Sequence, residues 1–152
     1  MNIGNKKNGI VGRRNGPSHH YPNHTDHTHD GNGAYERRRG TAIVDLPEGI
    51  LVTQQGHAKF LLPGGGARPG ESRLQAAVRE LKEETGLDAF ATLFLFQYQR
   101  SKVFLVKTTG IPQHHHEISH IDYYTKGSTI PLSVSTQKII DQYLNLKERR
   151  IP

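Results

Sequence analysis

Acidic residues crowd one short stretch of this sequence, directly behind a run of glycines. In Pro63–Leu87, PGGGARPGESRLQAAVRELKEETGL, three consecutive glycines are followed by Glu71, Glu80, Glu83 and Glu84. If the second half of the stretch is helical, the last three glutamates stand at i, i+3 and i+4, and their side chains are neighbours. Like charges at that spacing repel and destabilise an isolated helix. A hard divalent cation prefers such carboxylate oxygens, so the spacing points to a metal site.

The glycines before the helix supply a complementary part. Residues 64–66 allow the backbone to approach a ligand closely, because no Cβ stands in the way. Loop amides and a helix N-terminus favour phosphate, and Mg²⁺ commonly bridges carboxylates and the phosphates of a substrate. The combination predicts a metal–diphosphate site. An alternative stays open, since a Glu-Glu pair on an acidic helix is usually a solvated face.

The helix that carries the glutamates is predicted from Glu71 to Thr85. Its apolar residues recur at i, i+3, i+4 and i+7 and form one stripe: Leu74, Ala77, Val78 and Leu81. Gly86 is a suitable end for this helix because glycine adopts the left-handed conformation at little cost. The carboxylate face lies beside the apolar stripe, so we expect it at the edge of the packed core.

Strands are predicted on both sides of this helix, and a second helix follows them. The predicted strands cover residues 41–46, 50–55, 60–62, 89–99, 103–107 and 118–125, with Arg100 and Ser101 as a hairpin turn. The second helix is predicted over residues 133–149, with a buried face of Ile139, Ile140, Tyr143 and Leu144. This order predicts an α/β (α+β) fold in which a mixed β-sheet lies between helices.

Composition and charge narrow the class of protein. The chain has 152 residues, which fits one ordered domain, and it contains no cysteine, which excludes disulfides and thiolate metal sites. No apolar run is long enough to span a bilayer, so we expect a cytoplasmic protein without a membrane partner. The net charge is +6, and residues 1–40 hold +4 of it, from seven Lys/Arg and three Asp/Glu. We predict a disordered, basic and His-rich tail over 1–38 and an ordered domain over 39–152.

The acidic stretch matches a known family pattern at fixed spacing. Gly65 to Leu87 resembles a complete Nudix box, with these matching positions: Gly65, Glu71, Arg79, Glu80, Leu81, Glu83, Glu84, Gly86 and Leu87. The order of strands and helices also resembles the Nudix αβα sandwich. We therefore identify the domain as a MutT-like member of the Nudix hydrolase superfamily. The resemblance implies a pyrophosphohydrolase that cleaves a nucleoside diphosphate linked to a moiety X, with Mg²⁺ or Mn²⁺ assisting the attack of water on phosphorus.

The same resemblance implies a role for each residue of the box. The implied metal ligands are the carbonyl of Gly64 and the carboxylates of Glu80, Glu83 and Glu84. Glu80 is alternatively the group that orients the attacking water, and Arg79 is implied to orient Glu80. Glu71 is implied to stabilise the geometry of loop and helix from the helix N-terminus, where a carboxylate also meets a favourable dipole. Gly65 and Gly86 are structural positions of the loop and of the helix end.

Residues other than the defining positions of the box are candidates for further roles. Many Nudix enzymes add a glutamate from a later loop as a metal ligand or general base, and Glu117, behind three histidines, is the candidate here. A plain polar loop is the alternative reading of Glu117, and the two stay open. Arg38, Arg39, Lys59 and Arg68 are candidates for contact with substrate phosphate, although surface charge is the plainer reading of each.

The sequence leaves the substrate open. The first proline beyond the box is Pro112, too distant to match the ADP-ribose-selective relatives, and no motif of the NADH or coenzyme A type is evident. By elimination, the chain is most similar to MutT-type enzymes acting on nucleoside triphosphates, including oxidised ones. The expected partner is a small nucleoside diphosphate derivative, and nucleic acid is not expected. The alternative is a non-catalytic Nudix-fold module that binds nucleotides and touches nucleic acid through its basic tail.

Overall fold

Seven strands and two helices make up residues 38–149, the part of the chain that a computed structural model describes. In chain order they are β1 (Arg39–Ile43), β2 (Asp45–Leu46), β3 (Gly49–Gln55), β4 (Gly64–Gly66), α1 (Arg73–Thr85), β5 (Asp88–Tyr98), β6 (Ser101–Thr109), β7 (Ile118–Tyr124) and α2 (Val134–Arg149). The tail predicted over 1–38 lies outside the described residues except for Arg38. Neither described helix is long and apolar enough to cross a lipid bilayer.

The strands form two sheets with different pairing. The four-stranded sheet has the order β4-β1-β6-β5, and it is mixed because β1 runs parallel to β6 while its other pairs are antiparallel. The three-stranded sheet has the order β2-β3-β7 and is antiparallel. The predicted α+β class is therefore confirmed, with the strands divided between two sheets.

The predicted strand over residues 41–46 is divided at Val44. Ile43 still pairs with β6 in the first sheet, whereas Asp45 already pairs with Ile50 in the second. The carbonyl of Val44 accepts a hydrogen bond from the amide of Leu51 at 3.0 Å. The segment 41–46 thus passes from one sheet to the other, which residue types alone do not indicate.

Alternating side chains of the strands build two core layers. On β1, Ala42 faces the cluster under α1, whereas Ile43 faces the cluster under α2. The α1 layer receives Ala77 and Leu81, with Leu74 partly buried, and the α2 layer receives Ile139, Ile140 and Tyr143, with Leu144 partly buried. The two helices therefore cover opposite faces of β1, as an αβα sandwich requires. Val78 is only half-buried and belongs to neither cluster.

Three predicted boundaries are corrected by the structure. Helix α1 begins at Arg73, because Ser72 caps it: the Ser72 hydroxyl accepts from the Gln75 amide, and the Gln75 side chain accepts from the Ser72 amide. The hairpin turn is Gln99–Arg100, and Ser101 already belongs to β6. The strand predicted over 60–62 is reduced to isolated bridges at Phe60 and Leu61, and the glycines of β4 form the strand there. The predicted helix end is confirmed, with Gly86 at φ 76°.

Close contact between β1 and α1 depends on glycine at position 40. A Cβ there would lie 1.9 Å from the carbonyl oxygen of Arg73 and 2.8 Å from the amide of Ala77. Both are backbone atoms of α1, so the helix itself would have to move. We expect Gly40→Ala to lower the free energy of unfolding by about 3 kcal/mol, measured by urea denaturation.

Gly127→Ala is the matched control for this substitution. Gly127 has φ 86° and no heavy atom within 4 Å of the added Cβ. It should cost only about 1 kcal/mol, the penalty of the left-handed backbone. Equal losses in the two variants would contradict a steric role for Gly40.

Candidate active site

Arg79 is the centre of a network that joins the glycine-rich loop to the acidic face of α1. Its Nε and Nη2 donate to the two carboxylate oxygens of Glu71 at 2.8 and 3.0 Å. Its Nη1 donates to Glu80 at 2.9 Å and, more weakly, to Glu83 at 3.3 Å. Nη2 also donates to the carbonyl of Gly66 at 3.2 Å. One guanidinium thus bonds to three carboxylates, offsets part of their charge and holds the loop against the helix.

Glu71 stands before the helix rather than in its first turn. It precedes the N-cap Ser72, so the predicted position at the helix N-terminus is corrected to the loop. Hydrogen bonds from the Arg79 side chain and then from the Arg68 amide lower the pKa of Glu71 to about 2. Its carboxylate therefore acts through Arg79 and not through the helix dipole. The expected stabilisation of loop–helix geometry has a physical basis in this pair.

Glu84 is the most perturbed carboxylate in the described residues. Burial and then the nearby charge of Glu80 raise its pKa to about 8, against the opposing effects of a hydrogen bond from the Gly64 amide and of Arg39. Its Oε2 atom is buried and has no hydrogen-bond partner among the described residues. An unpaired buried carboxylate oxygen costs free energy, so an incoming cation would relieve it.

Strand β4 presents both backbone and space to these carboxylates. Ala42 donates to the Pro63 carbonyl and Ala67 donates to the Arg38 carbonyl, so Gly65 is the residue that exchanges hydrogen bonds with β1. The carbonyl of Gly64 consequently points away from β1, at the open edge of the sheet. A Cβ at Gly65 would lie 2.6 Å from the carboxyl carbon of Glu80, so glycine is needed for this approach.

Two adjoining cavities open over this group. The larger, of about 1060 Å³, is lined by Gly64, Gly65, Glu80, Glu84 and Glu117 among others. The smaller, of about 610 Å³, shares Glu80, Glu84 and Glu117 and adds Glu83, His115 and His116. The structure therefore brings together all four predicted metal-binding carboxylates. Glu83 is the most outward of those on the helix, with 41% of its side chain exposed.

Glu117 reaches this cavity because its loop is attached to the end of α1. Gln113 and His115 donate from their amides to the carbonyls of Thr85 and Glu84 at 2.9 and 3.1 Å. These bonds satisfy carbonyls that the helix leaves without partners at its C-terminus. His116 adopts a left-handed φ of 54° immediately before Glu117. The histidine-rich loop is thus fixed over the carboxylates.

The four residues predicted as candidates for contact with substrate phosphate lie in different environments. Arg39 lines the larger cavity. Arg68 lies outside that cavity and forms an exposed ion pair with Glu83 at 3.7 Å. Arg38 donates to the carbonyl of Glu71 at 2.9 Å and so supports the loop. Lys59 is exposed and lines neither cavity.

Several residues of the larger cavity were not among the sequence candidates. They come from β1, from the hairpin between β5 and β6, and from α2: Thr41, Gln99, Arg100, Ser101, Ser135 and Thr136. The hydroxyls of Thr41 and Ser101 share a hydrogen bond across the two strands. Only strand register brings these residues to one place, so no local motif marks them. The positive φ of Gln99 in a tight turn becomes evident only in the structure.

The oxygen atoms of these residues suit a hard divalent cation, although their side chains do not yet converge on one metal position. Among residues 38–149, no three acidic or histidine side chains already converge on one point as metal ligands. The cause is local, because Arg79 draws Glu80 and Glu83 towards itself. The buried, unpartnered Oε2 of Glu84 and the open carbonyl edge of Gly64 supply oxygen ligands, which suit Mg²⁺ or Mn²⁺ better than softer metals.

Comparison with known proteins agrees with this fold. Residues 36–137 match the NUDIX domain family. A structure of a provisionally named Nudix hydrolase family member from Chromobacterium violaceum is 37% identical, with TM-score 0.68, over 73% of this chain and 78% of that one. MutT Nudix hydrolase from Burkholderia pseudomallei shares the fold at 20% identity and TM-score 0.61, over 70% of this chain and 96% of that one.

A curated relative aligns over a shorter stretch. A Bacillus subtilis (strain 168) protein, provisionally named as an 8-oxo-dGTP diphosphatase, is 40% identical over 67 residues. That alignment covers 42% of this chain and 45% of the relative, so this chain matches slightly less than half of the relative's length. The family match spans most of the chain, and the chain therefore belongs to the NUDIX domain family.

Proposed function

We propose that this protein is a metal-dependent pyrophosphohydrolase that cleaves a nucleoside diphosphate linked to a moiety X. The observation that carries the proposal is the arrangement at Glu84. Its buried, unpartnered oxygen lies beside Glu80 and the open edge of Gly64, and all three line one cavity with Glu117. An unpaired buried carboxylate oxygen costs free energy in the fold, and a bound cation would offset that cost.

The proposed division of labour follows from the contacts of each residue. Glu84, Glu83 and the Gly64 carbonyl would hold Mg²⁺ or Mn²⁺, with Glu80 as a further ligand or as the group that orients water. The cation, when bound, neutralises charge on the phosphates and acidifies water. Arg79 holds Glu80 through a hydrogen bond of 2.9 Å, and Glu71 holds Arg79. Arg39 offers a positive charge inside the cavity for substrate phosphate.

Glu117 lies in a loop outside α1, and we consider it separately as a candidate general base or metal ligand. It lines both cavities together with Glu80 and Glu84, from the loop that is attached to the end of α1. A carboxylate in that place accepts a proton from the attacking water if it serves as the general base. We propose this role, or a ligand role, for Glu117.

The proposed substrates are nucleoside triphosphates, including oxidised ones. The printed name of the Bacillus subtilis relative supports the inclusion of 8-oxo-dGTP. We also propose that residues 39–152 are the hydrolase unit, that 1–38 are an appended tail, and that the protein is cytoplasmic. The match over residues 36–137 supports the first of these boundaries.

A substrate panel tests the proposed reaction. We expect hydrolysis of a phosphoanhydride bond in at least one compound of a panel of dNTPs, 8-oxo-dGTP, ADP-ribose, NADH and dinucleoside polyphosphates, requiring Mg²⁺ or Mn²⁺ and abolished by EDTA. Triphosphates would release pyrophosphate or phosphate, whereas ADP-ribose and NADH would each give two phosphomonoesters. Running the reaction in ¹⁸O-labelled water identifies which phosphorus is attacked. Tight nucleotide binding without turnover of any compound would instead support the non-catalytic module.

Glu117→Gln separates a base from a loop residue. If Glu117 takes a proton in the rate-limiting step, kcat should fall by about 10²-fold at neutral pH, and the acidic limb of the pH–rate profile should change. The measurement is kcat against pH at saturating metal. Asp122→Asn, an exposed carboxylate on β7 outside both cavities, is the control. A wild-type profile for Glu117→Gln would make it a polar loop residue.

A further inference from the structure

The turn between β5 and β6 carries a glutamine in a conformation that normally selects glycine. Gln99 and Arg100 are the two central residues of this hairpin, because Tyr98 pairs with Ser101. Gln99 has φ 50°, a left-handed value that is costly for a residue with a Cβ. Glycine is the usual residue where a two-residue hairpin turn needs positive φ. Strain of this kind concentrates at ligand sites, which directs attention to the side chain.

Gln99 lines the larger cavity, and its side chain is not used by the fold. Only its backbone is tied down, by a hydrogen bond of 2.9 Å from the Gln97 side chain to the Gln99 carbonyl. Its own carboxamide makes no hydrogen bond with the described residues. A residue with an unused donor and an unused acceptor therefore lines the same cavity as Glu80 and Glu84.

The order of the strands in the four-stranded sheet determines the order of polar groups along the cavity. Strand β4 lies beside Glu80, β1 carries Arg39, and β6 and β5 carry the turn with Gln99. Arg39 is opposite Gly66 on one side and Ser101 on the other, so the cavity crosses the strands directly. At about 4.8 Å per strand, β4 and β5 are roughly 14 Å apart. Carboxylates, a guanidinium and then a carboxamide follow one another, as metal, phosphates and base would in an extended nucleotide.

We propose that Gln99 is a specificity-determining residue whose carboxamide binds the N7 edge of a purine base. This rests on the proposed function, because it assumes phosphates at Glu80 and Glu84. A carboxamide pairs bidentately with adenine, which offers an acceptor at N7 and a donor at N6. It pairs equally well with 8-oxoguanine, where oxidation places a hydrogen on N7 beside the acceptor O6. Guanine offers two acceptors there and matches only half of the carboxamide.

Gln99→Gly tests this reading against a purely structural one. Glycine relieves the strained φ, so both readings expect a Tm higher by about 4 °C. The specificity reading also expects the kcat/KM ratios of 8-oxo-dGTP to dGTP and of dATP to dGTP to fall by about ten-fold, mainly through KM. Gln99→Asn, which keeps a carboxamide and tolerates this backbone, should retain part of both ratios.

Gln97→Ala is the matched control, because Gln97 supports the same turn from outside the cavity. It should lower Tm slightly and leave the ratios unchanged. A raised Tm with unchanged ratios in Gln99→Gly would overturn the proposal. If the wild-type protein hydrolyses no nucleotide, the proposed function fails separately. The same variants are then compared by calorimetric binding of 8-oxo-dGTP, dATP and dGTP, and equal Kd ratios would overturn the role of Gln99.

Discussion

Glu84→Gln is expected to lower kcat/KM by about 10³-fold and to leave the fold intact. That factor corresponds to about 4 kcal/mol of transition-state stabilisation, within the several kcal/mol that a divalent ion supplies. Glutamine keeps the size of the side chain but removes the charge that a cation needs. The assay is turnover of the best substrate at increasing Mg²⁺. Wild-type kcat at saturating metal would exclude Glu84 as a ligand.

In the absence of metal, Glu84→Gln is expected to favour stability at high pH, although it lowers activity. The pKa of Glu84 is raised from 4.5 to about 8 in the folded protein, mainly by burial and then by the charge of Glu80. An acid with a raised folded pKa holds its proton more tightly when folded. The contribution of Glu84 to stability is therefore fully present below pH 4.5 and is lost as pH rises towards 8.

We expect this decline in the wild-type protein in EDTA and expect it to be absent in Glu84→Gln. Urea unfolding at pH 5 and pH 8.5 measures it. Added Mg²⁺ should restore stability to the wild type at pH 8.5 but not to the variant, because a ligand stabilises only the state it binds. Glu148→Gln, an exposed glutamate of α2, is the control and should behave as wild type throughout.

Arg79→Gln is expected to weaken both the fold and the reaction. Arg79 donates to Glu71, Glu80 and Glu83 and is 19% exposed, so its loss leaves three crowded carboxylates without their shared cation. We expect about 2 kcal/mol less free energy of unfolding at pH 7 and a fall in kcat of at least about 10-fold. Lysine should rescue little, because it has no planar fork for the two oxygens of Glu71.

The dependence on pH distinguishes this network from general destabilisation. Arg79 holds the pKa of Glu71 at about 2 rather than 4.5. A lowered folded pKa contributes stability above pH 4.5, and that contribution is lost as pH falls towards 2. The wild type should therefore lose stability between these values, and Arg79→Gln should lose less over the same interval. Arg68→Ala removes only an exposed pair with Glu83 and should change stability by about 0.5 kcal/mol. Equal losses in the two variants would refute the central position of Arg79.

The helix and its site could be predicted from local spacing, whereas the loop contacts could not. The spacing of Glu80, Glu83 and Glu84 indicated one face of a helix, and the structure places them on one face of α1. Arg79 was expected to orient Glu80, and it does donate to it, but its bidentate partner is Glu71. Eight residues separate Arg79 from Glu71, across a helix start that Ser72 defines, so no helical periodicity relates them.

The sequence by itself determined the chemistry at one end of this cavity. Carboxylates at i, i+3 and i+4 must be neighbours on any helix, and three glycines before it leave room for backbone to approach. Those relations are local, so they hold before any tertiary contact forms.

Only the tertiary structure decided which other residues line the cavity with the carboxylates of α1. Strand register places Arg39, Ser101 and Gln99 along the cavity, and the attachment of the histidine-rich loop to the end of α1 brings Glu117 over it. The fold also buries one oxygen of Glu84 without a hydrogen-bond partner among the described residues. These features depend on pairing between residues far apart in the chain, because register and burial are properties of the folded assembly of strands.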